Sequence, residues 1–468
     1  MTLGRNARVW AVLLAVGASL AASSRASAQQ FGNGHDGPLV VAGRETINDA
    51  ALVTANVRLG DFIITVSNTT AFLPGSQLLI IQMQAIDLAS RSQVGAFEVR
   101  RITRVSGTQI EVEDPLTRAF PANVSQVVTL PEYSSVTIAP DAGLLAPPWR
   151  GTGGVLALMV SGRLNNAGLL DARGSGFRGG TGRTASGGSV GCTRLDEPQP
   201  GGAERGEGGV AGGFGAAFTG RGNNHTGGGG GVCAYSGGGG GGHRGEGGIG
   251  GFNQNSTLNG GLPGVKLEGS GLVLGGGGGA SNGLDDTQRN GGAGGGIVFV
   301  AAFELAGEGL IVSDGSPGGS ITLPRGGASG GGAGGTVWLE VAGDAVCHLS
   351  AKGGTGGNSM ASGPGGGGGG GYIRLQAQVV RSCSTAVTGG SAGLSNGLPF
   401  GAGPTAPELA PNVGAVDVTD VYGEEVPIAI KPELKTALVA VGCGCDSSAF
   451  GFAWLALLIP LRLARRRQ

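Results

Sequence analysis

Apolar residues in this chain come in short alternating blocks, and between residues 151 and 403 each block is framed by glycine. Four blocks open on a glycine, run through a strand-like stretch, turn, and close on another glycine cluster. They begin at Gly154 (GVLALMVSGRLNNAGLLDARG), Gly296 (GIVFVAAFELAGEGLIVSDG), Gly335 (GTVWLEVAGDAVCHLSAKGG) and Gly371 (GYIRLQAQVVRSCSTAVTGG). The last two agree in register, because Cys347 stands 12 positions after Gly335 and Cys383 stands 12 after Gly371. A fixed spacing predicts a repeat architecture, in which units too thin to bury an apolar face alone stack into one core. The glycine runs are then expected to leave from one edge of the stack.

A different pattern precedes the blocks. Phe62–Val66 is apolar and β-branched, Pro74-Gly75 predicts a turn, and Leu78–Met83 predicts a second strand. Phe97–Val105 and Gln109–Glu113 alternate on either side of Ser106-Gly107, which reads as a hairpin. Val127–Leu130 and Val136–Ile138 add two more short strands. Such spacing predicts a small β-barrel or sandwich over residues 29–149. No helix longer than two turns is expected.

The 102 glycines narrow the choice of architecture. Interior glycine disfavours helix by about 1 kcal/mol per residue relative to alanine, and the absence of a strict three-residue sequence period excludes collagen. Charged residues make up only 13%, too few for a disordered polyelectrolyte. The fold class is therefore all-β: an N-terminal barrel or sandwich, then a glycine-rich repeat body over 150–403, either β-solenoid-like or a β-sandwich with polyglycine loops. The insert at about 176–295 admits two forms. It is either a set of long disordered loops, or a set of extended three-residue helices that pack side by side because no Cβ holds their backbones apart. In runs such as Gly365–Gly371 followed by Tyr372, this second form resembles the glycine-rich domain of the anaplastic lymphoma kinase receptors and the adhesin tips of some phage tails.

The two ends carry addresses. Arg5 and Arg8, the apolar run Val9–Ala22 and the small-residue site Ala26-Ser27-Ala28 predict a secretory signal over 1–28, cleaved between Ala28 and Gln29. Residues 404–441, rich in proline and glutamate, read as an extended linker. Residues 442–468 follow with Cys443 and Cys445, an apolar run Ala449–Leu461, and then Arg462, Arg465, Arg466 and Arg467. The run has 13 residues, against about 20 for a full span, and its arginines favour the cytoplasmic side. This order resembles the MYXO-CTERM sorting tail of myxobacterial exported proteins. The resemblance implies export and sorting machinery as partners, processing or lipid attachment near Cys443 and Cys445, a transient inner-membrane stage, and a final place at the cell surface or outer membrane. An ordinary C-terminal transmembrane anchor is the alternative.

Outside the cytoplasm, disulfides are permitted. Setting the tail pair aside leaves Cys192, Cys233, Cys347 and Cys383. Cys347 and Cys383 occupy equivalent repeat positions. On neighbouring rungs about 4.8 Å apart they would lie within disulfide range, with Cys192 and Cys233 closing the insert. Zinc is the rival reading, but the chain has no CxxC spacing and its four histidines are scattered.

Candidate chemistry is thin. The loop Phe31-Gly32-Asn33-Gly34-His35-Asp36-Gly37 offers two ligand types and reads as a turn. Gly187–Gly191 and Gly327–Gly331 match G-x-S-x-G but lack the helix that a nucleophile elbow needs. His225 and His243 fall in glycine loops and are expected to be solvated, while either His348 or Cys347 should face inward. Asp285-Asp286 reads as a solvated turn, without calcium-repeat periodicity. No cofactor, metal or catalytic residue is expected. With the basic ends removed the body is acidic on balance, so nucleic acid is not an expected partner. The function expected is that of a non-enzymatic surface protein with a structural, adhesive or matrix role, in contact with surface polysaccharide or matrix. The alternative is a polysaccharide-active β-helix lyase or hydrolase, which would need charged residues aligned on successive rungs. Asp171, Asp314 and Asp344 fall at different distances from their leading glycines, so counting along the blocks predicts no such column.

Overall fold

Leu156, Leu158 and Val160 alternate with residues that point the other way, and every later block repeats that phase. The computed structural model describes residues 31–184, 202–232, 235–251, 260–268, 271–283, 290–395, 398–399 and 415–420, all within one compact unit, Ala28–Val426. The chain opens on two short strands, β1 (Pro38–Val41) and β2 (Arg44–Glu45). It then forms β3 (Ala50–Leu52), β4 (Ile63–Thr65), β5 (Gln77–Gln82), β6 (Phe97–Ser106), β7 (Gln109–Val112) and β8 (Ser125–Leu130). These six make an antiparallel sheet in the order β3-β8-β5-β6-β7-β4, with Gly107 turning the β6–β7 hairpin at φ 58°. The chain returns through β9 (Glu132–Tyr133), β10 (Ser135–Ile138) and β11 (Gly143–Leu145).

The repeat blocks follow as β12 (Val155–Asn166) with β13 (Leu169–Asp171), then a small pair formed by β14 (Arg183–Thr184) and β15 (Asn282–Gly283). Next come β16 (Ile297–Ala306) with β17 (Leu310–Val312), β18 (Thr336–Ser350) and β19 (Tyr372–Ala386). A small hairpin, β20 (Leu394–Ser395) and β21 (Leu398–Pro399), precedes β22 (Ala415–Asp420).

All the block strands pair in parallel, one rung per block. Val155, Ile297, Thr336, Tyr372 and Ala415 stand in one register column, each directly after its rung's lead-in. The inward columns are Leu156–Val298–Val337–Ile373, Leu158–Val300–Leu339–Leu375 and Val160–Ala302–Val341–Ala377, all in one core cluster. Full burial of each large member contributes about 1.5–3 kcal/mol. The expected stacking of the four blocks is thus the fold itself, an all-β parallel stack with an antiparallel sheet beside it. Among the described residues the sole helix with its own internal hydrogen bonds is the three-residue 3-10 turn Arg91–Gln93.

Residues 31–149 divide between the two sheets. β1, β2 and β9–β11 belong to the parallel stack, and the antiparallel sheet enters between its first and second rungs. Asn48 ties the sheets by exchanging hydrogen bonds with the backbone N–H and carbonyl of Ala157, at 3.0 and 2.7 Å. Phe97 sets its edge against Phe299 (5.9 Å) and Trp338 (5.3 Å) on the outer face of the stack. β5, covered on one side by its own sheet's core and on the other by the stack, is buried at all six positions.

Of the two forms the insert admits, the described residues take the packed one. Gly237 and Gly240 donate to the 248–251 segment, Gly238 and Gly241 to 328–331, and Gly239 and Gly242 to 226–229. The donors rotate through three neighbours with a period of three, as a three-residue helix requires when its hydrogen bonds run sideways. The 327–335 segment repeats the pattern toward 276–282, 363–369 and 313–319. Glycine is obligatory by proximity: a Cβ on Gly241 or on Gly330 would lie 2.0 Å from a neighbouring carbonyl oxygen. The helices run outward from one rung and back into the next, so the slab and the stack share their layers.

Candidate functional site

Each block strand bends where its inward alternation slips. Opposite one another at the bend lie Ser161-Gly162, Phe303, Ala342-Gly343 and Gln378, so successive rungs spend two, one, two and one residues there. These slips are bulges, which re-aim side chains. Phe303 is the large one, 55% exposed between two rungs whose bend residues are small. A Cβ on Gly343 would lie 3.1 Å from the Phe303 carbonyl oxygen, so the two rungs pass close together at the bend.

One step past the bend stands a charged column. Arg163 is the register partner of Glu304, with Nε and Oε1 3.5 Å apart. Asp344 follows on the next rung, since the residues after Glu304 and Asp344, Leu305 and Ala345, are partners. Arg381 on β19 donates from Nε to Asp344 Oδ2. Counting from the leading glycines hid this column, because Glu304 is eighth after Gly296 while Asp344 is ninth after Gly335. The bulge absorbs the difference. Asp171 and Asp314 lie elsewhere: Asp171 accepts three hydrogen bonds from Arg173, one from its backbone N–H and two from its guanidinium, and Asp314 accepts from Ser350 Oγ and the Lys352 N–H. His348 continues the outward side of β18, its Nδ1 2.6 Å from Ser384 Oγ.

The N-terminal loop docks at the other end of the same bend. Glu132, completely buried, takes two hydrogen bonds from Arg101 (2.8 and 2.9 Å) and one from the Asn33 N–H (3.0 Å). Asp36 Oδ2 accepts from the Glu132 N–H at 2.7 Å, and His35 lies 3.4 Å from Glu132 and 3.3 Å from Asp36. His35 and Asp36 thus gain a second carboxylate, Glu132, that sequence spacing did not reveal. Its oxygens are already occupied by donors, and no group of three or more His, Cys, Asp or Glu able to hold a metal occurs among the described residues. The arrangement serves as a latch that fixes the turn to the first rungs.

A second polar cluster is enclosed between stack, sheet and slab. Trp338 Nε1 donates to Glu340 Oε1 at 2.9 Å, and the Arg374 guanidinium stacks 4.6 Å from the Trp338 ring. Burial pushes the Glu340 carboxyl above its usual range, against the opposing effects of the Trp338 hydrogen bond and the Arg374 charge. Arg244 covers Tyr372 at 4.7 Å. His243 is fully buried, its Nε2 within hydrogen-bond reach of the Val273 carbonyl (3.1 Å) and Thr336 Oγ1 (3.2 Å). Burial, and then the charge of Arg244, push its pKa down to about 3. His225 is also buried, and its pKa is likewise lowered by desolvation and then by Arg91. The expectation of solvated histidines fails because the glycine runs are packed layers. Trp338, Glu340 and Arg374 face no solvent and act through packing.

Cys347 and Cys383 are register partners on β18 and β19 and are joined by a disulfide, with Cα atoms 4.5 Å apart. Cys347 faces the core and His348 faces outward. With the cysteines 36 positions apart in sequence, chain-entropy reasoning assigns the link about 4 kcal/mol. Cys192, Cys233, Cys443, Cys445, Ala28, Gln29, Gly187–Gly191, Asp285-Asp286 and the tail run Ala449–Leu461 lie outside the described residues. Among the described residues no helix is long and apolar enough to cross a membrane.

No family model and no curated protein matches this chain. Among solved structures, the tailspike protein gp49 from Pseudomonas phage LKA1 is similar at 10% identity and a TM-score of 0.16, over 77% of this chain and 66% of that one. The Gp54 tailspike of Acinetobacter baumannii bacteriophage AP22, in complex with A. baumannii capsular saccharide, is similar at 8% identity and a TM-score of 0.18, over 82% and 65%. The tailspike gp61 of Pseudomonas phage phi297 gives 9% and 0.17, over 77% and 63%. This chain spans slightly less than two thirds of the length of each.

Proposed function

We propose that the protein is an exported, non-enzymatic surface scaffold that works by contact, in a structural, adhesive or matrix-forming role. One observation carries this reading: the glycine helices saturate their backbone groups on three sides and leave almost no side chains among them. Such a slab offers rigidity and a fixed outline, and little that could stabilise a transition state. The signal over 1–28 and the sorting-like tail with Cys443 and Cys445 supply the route to the surface in this proposal.

The polysaccharide-active alternative draws on Glu304 and Asp344, two carboxylates on adjacent rungs. Each is already paired with an arginine, Arg163 or Arg381. The two readings separate in one experiment. Cells carrying the full chain are compared with cells carrying a chain lacking 151–403, for cell–cell cohesion and for retention of extracellular matrix. The scaffold reading expects both to fall with the deletion. Unchanged cohesion and retention, together with new reducing ends or unsaturated sugars when the purified chain meets polysaccharide, would replace it with the enzyme reading.

A further inference from the structure

We propose that the bend ridge binds a neutral polysaccharide strand, with Phe303 as the stacking platform and the Arg163–Glu304 and Asp344–Arg381 pairs as its polar rails. The proposal names what the surface scaffold touches, and so rests on that reading. Three features of the ridge select the ligand. First, Phe303 stands exposed on a rung whose neighbours place only Ser161-Gly162 and Ala342-Gly343 at the bend, so no large side chain of either adjacent bend competes for its ring face. The negative face of an aromatic ring attracts the polarised C–H groups on the flat side of a pyranose.

Second, the four charges alongside are paired. A guanidinium fork and a carboxylate, fixed against each other, offer donors and acceptors to vicinal hydroxyls while the column carries no net charge. That matches an uncharged polymer rich in hydroxyls. Nucleic acid would need unpaired cations along its track, and a protein partner would need a broader apolar patch than one phenylalanine supplies. Third, one charged side chain of the rails stands on each of four successive rungs, at a spacing of about 4.8 Å, close to the length one pyranose adds to an extended chain. A strand running along the stack would meet one charged side chain per sugar and one ion pair per two sugars.

The test uses the purified full chain in affinity electrophoresis, through native gels containing amylose, glucomannan or curdlan, with polygalacturonate as the charged control. We expect retardation in at least one neutral gel and none in polygalacturonate beyond the charge effect of a reference protein. Phe303→Ala should weaken that binding at least tenfold, Phe303→Trp should keep or strengthen it, and the Arg163→Ala/Glu304→Ala pair should weaken it several-fold. Because Phe303 is exposed, its substitutions should leave the melting temperature unchanged, so a loss of binding cannot be assigned to misfolding. Free migration of the wild-type chain in every neutral gel, or undiminished binding by Phe303→Ala, overturns the platform. Loss of the platform with cohesion intact leaves the scaffold reading standing. Retardation accompanied by shortening of the polymer keeps the platform and removes the non-enzymatic reading.

Discussion

Two buried ionisable side chains give this protein opposite responses to pH. His243 is neutral in the fold, with its pKa held at about 3 against an ordinary value of 6.5. The unfolded chain binds the proton first, so stability is complete above pH 6.5 and falls as pH drops through the interval down to 3. At pH 4.5 the loss should be roughly 3 kcal/mol. Glu340 behaves inversely. Its folded pKa lies above the ordinary value of 4.5, so the native state binds more protons and stability falls as pH rises from there. Urea denaturation at pH 4.5 and 7.5 checks both: His243→Gln should flatten the acid limb, and Glu340→Gln should raise stability at pH 7.5 more than at 4.5. An unaltered acid limb in His243→Gln would show that the imidazole is reached by water. Neither behaviour was legible in the sequence, where His243 stands among glycines that look like open loop. A run of glycine has no side chain to announce which residue it encloses.

The strands were legible because each block opens, directly after its glycine, on a strand-forming run of six positions, and those six pair from rung to rung without a register shift. Their bends were not, since a bulge changes the residue count without changing composition, and that is how the Glu304–Asp344 column escaped a count from the leading glycines. The glycine helices were legible only as one of two forms. Their pattern lies in hydrogen bonds between segments far apart in the chain, and polyglycine has no facing code of its own. Their packing makes a sharp test. Gly330→Ala puts a methyl group 2.0 Å from the Gly239 carbonyl oxygen, and its three nearest atoms are all Gly239–Gly240 backbone, with no flexible side chain to yield. We expect a loss at or above the upper end of about 1–3 kcal/mol typical of overpacking, read as a lowered melting temperature. Gly43→Ala, which meets nothing within 4 Å, should stay within about 0.5 kcal/mol of wild type. Equal effects of the two substitutions would mean the slab is loosely packed.

At the scale of the molecule, composition and physics draw the boundary in different places. Composition changes near residue 150, but β1, β2 and β9–β11 pair with the parallel stack, and the antiparallel sheet is an insertion between two of its rungs. Gln126 reinforces the join by exchanging hydrogen bonds with the Gly153 backbone, at 2.8 and 2.9 Å, and Gln84 reaches the Gly208 carbonyl at 2.7 Å. A fragment of residues 29–149 would therefore keep its antiparallel core around Phe120 and Ile80 but strip the next-rung partners from β9, β10 and β11. It would also bare the side of β5 and β6 that covers Phe299 and Trp338. The expected outcome is a fragment that self-associates and melts well below the intact chain, while the intact chain loses sheet signal and tryptophan burial in one transition. Circular dichroism and intrinsic fluorescence, followed on the same heating ramp, measure both. A monomeric fragment melting with the intact chain, or two separate transitions in the whole protein, would show that the sheet is an independent domain and that its amide ties to the stack contribute little.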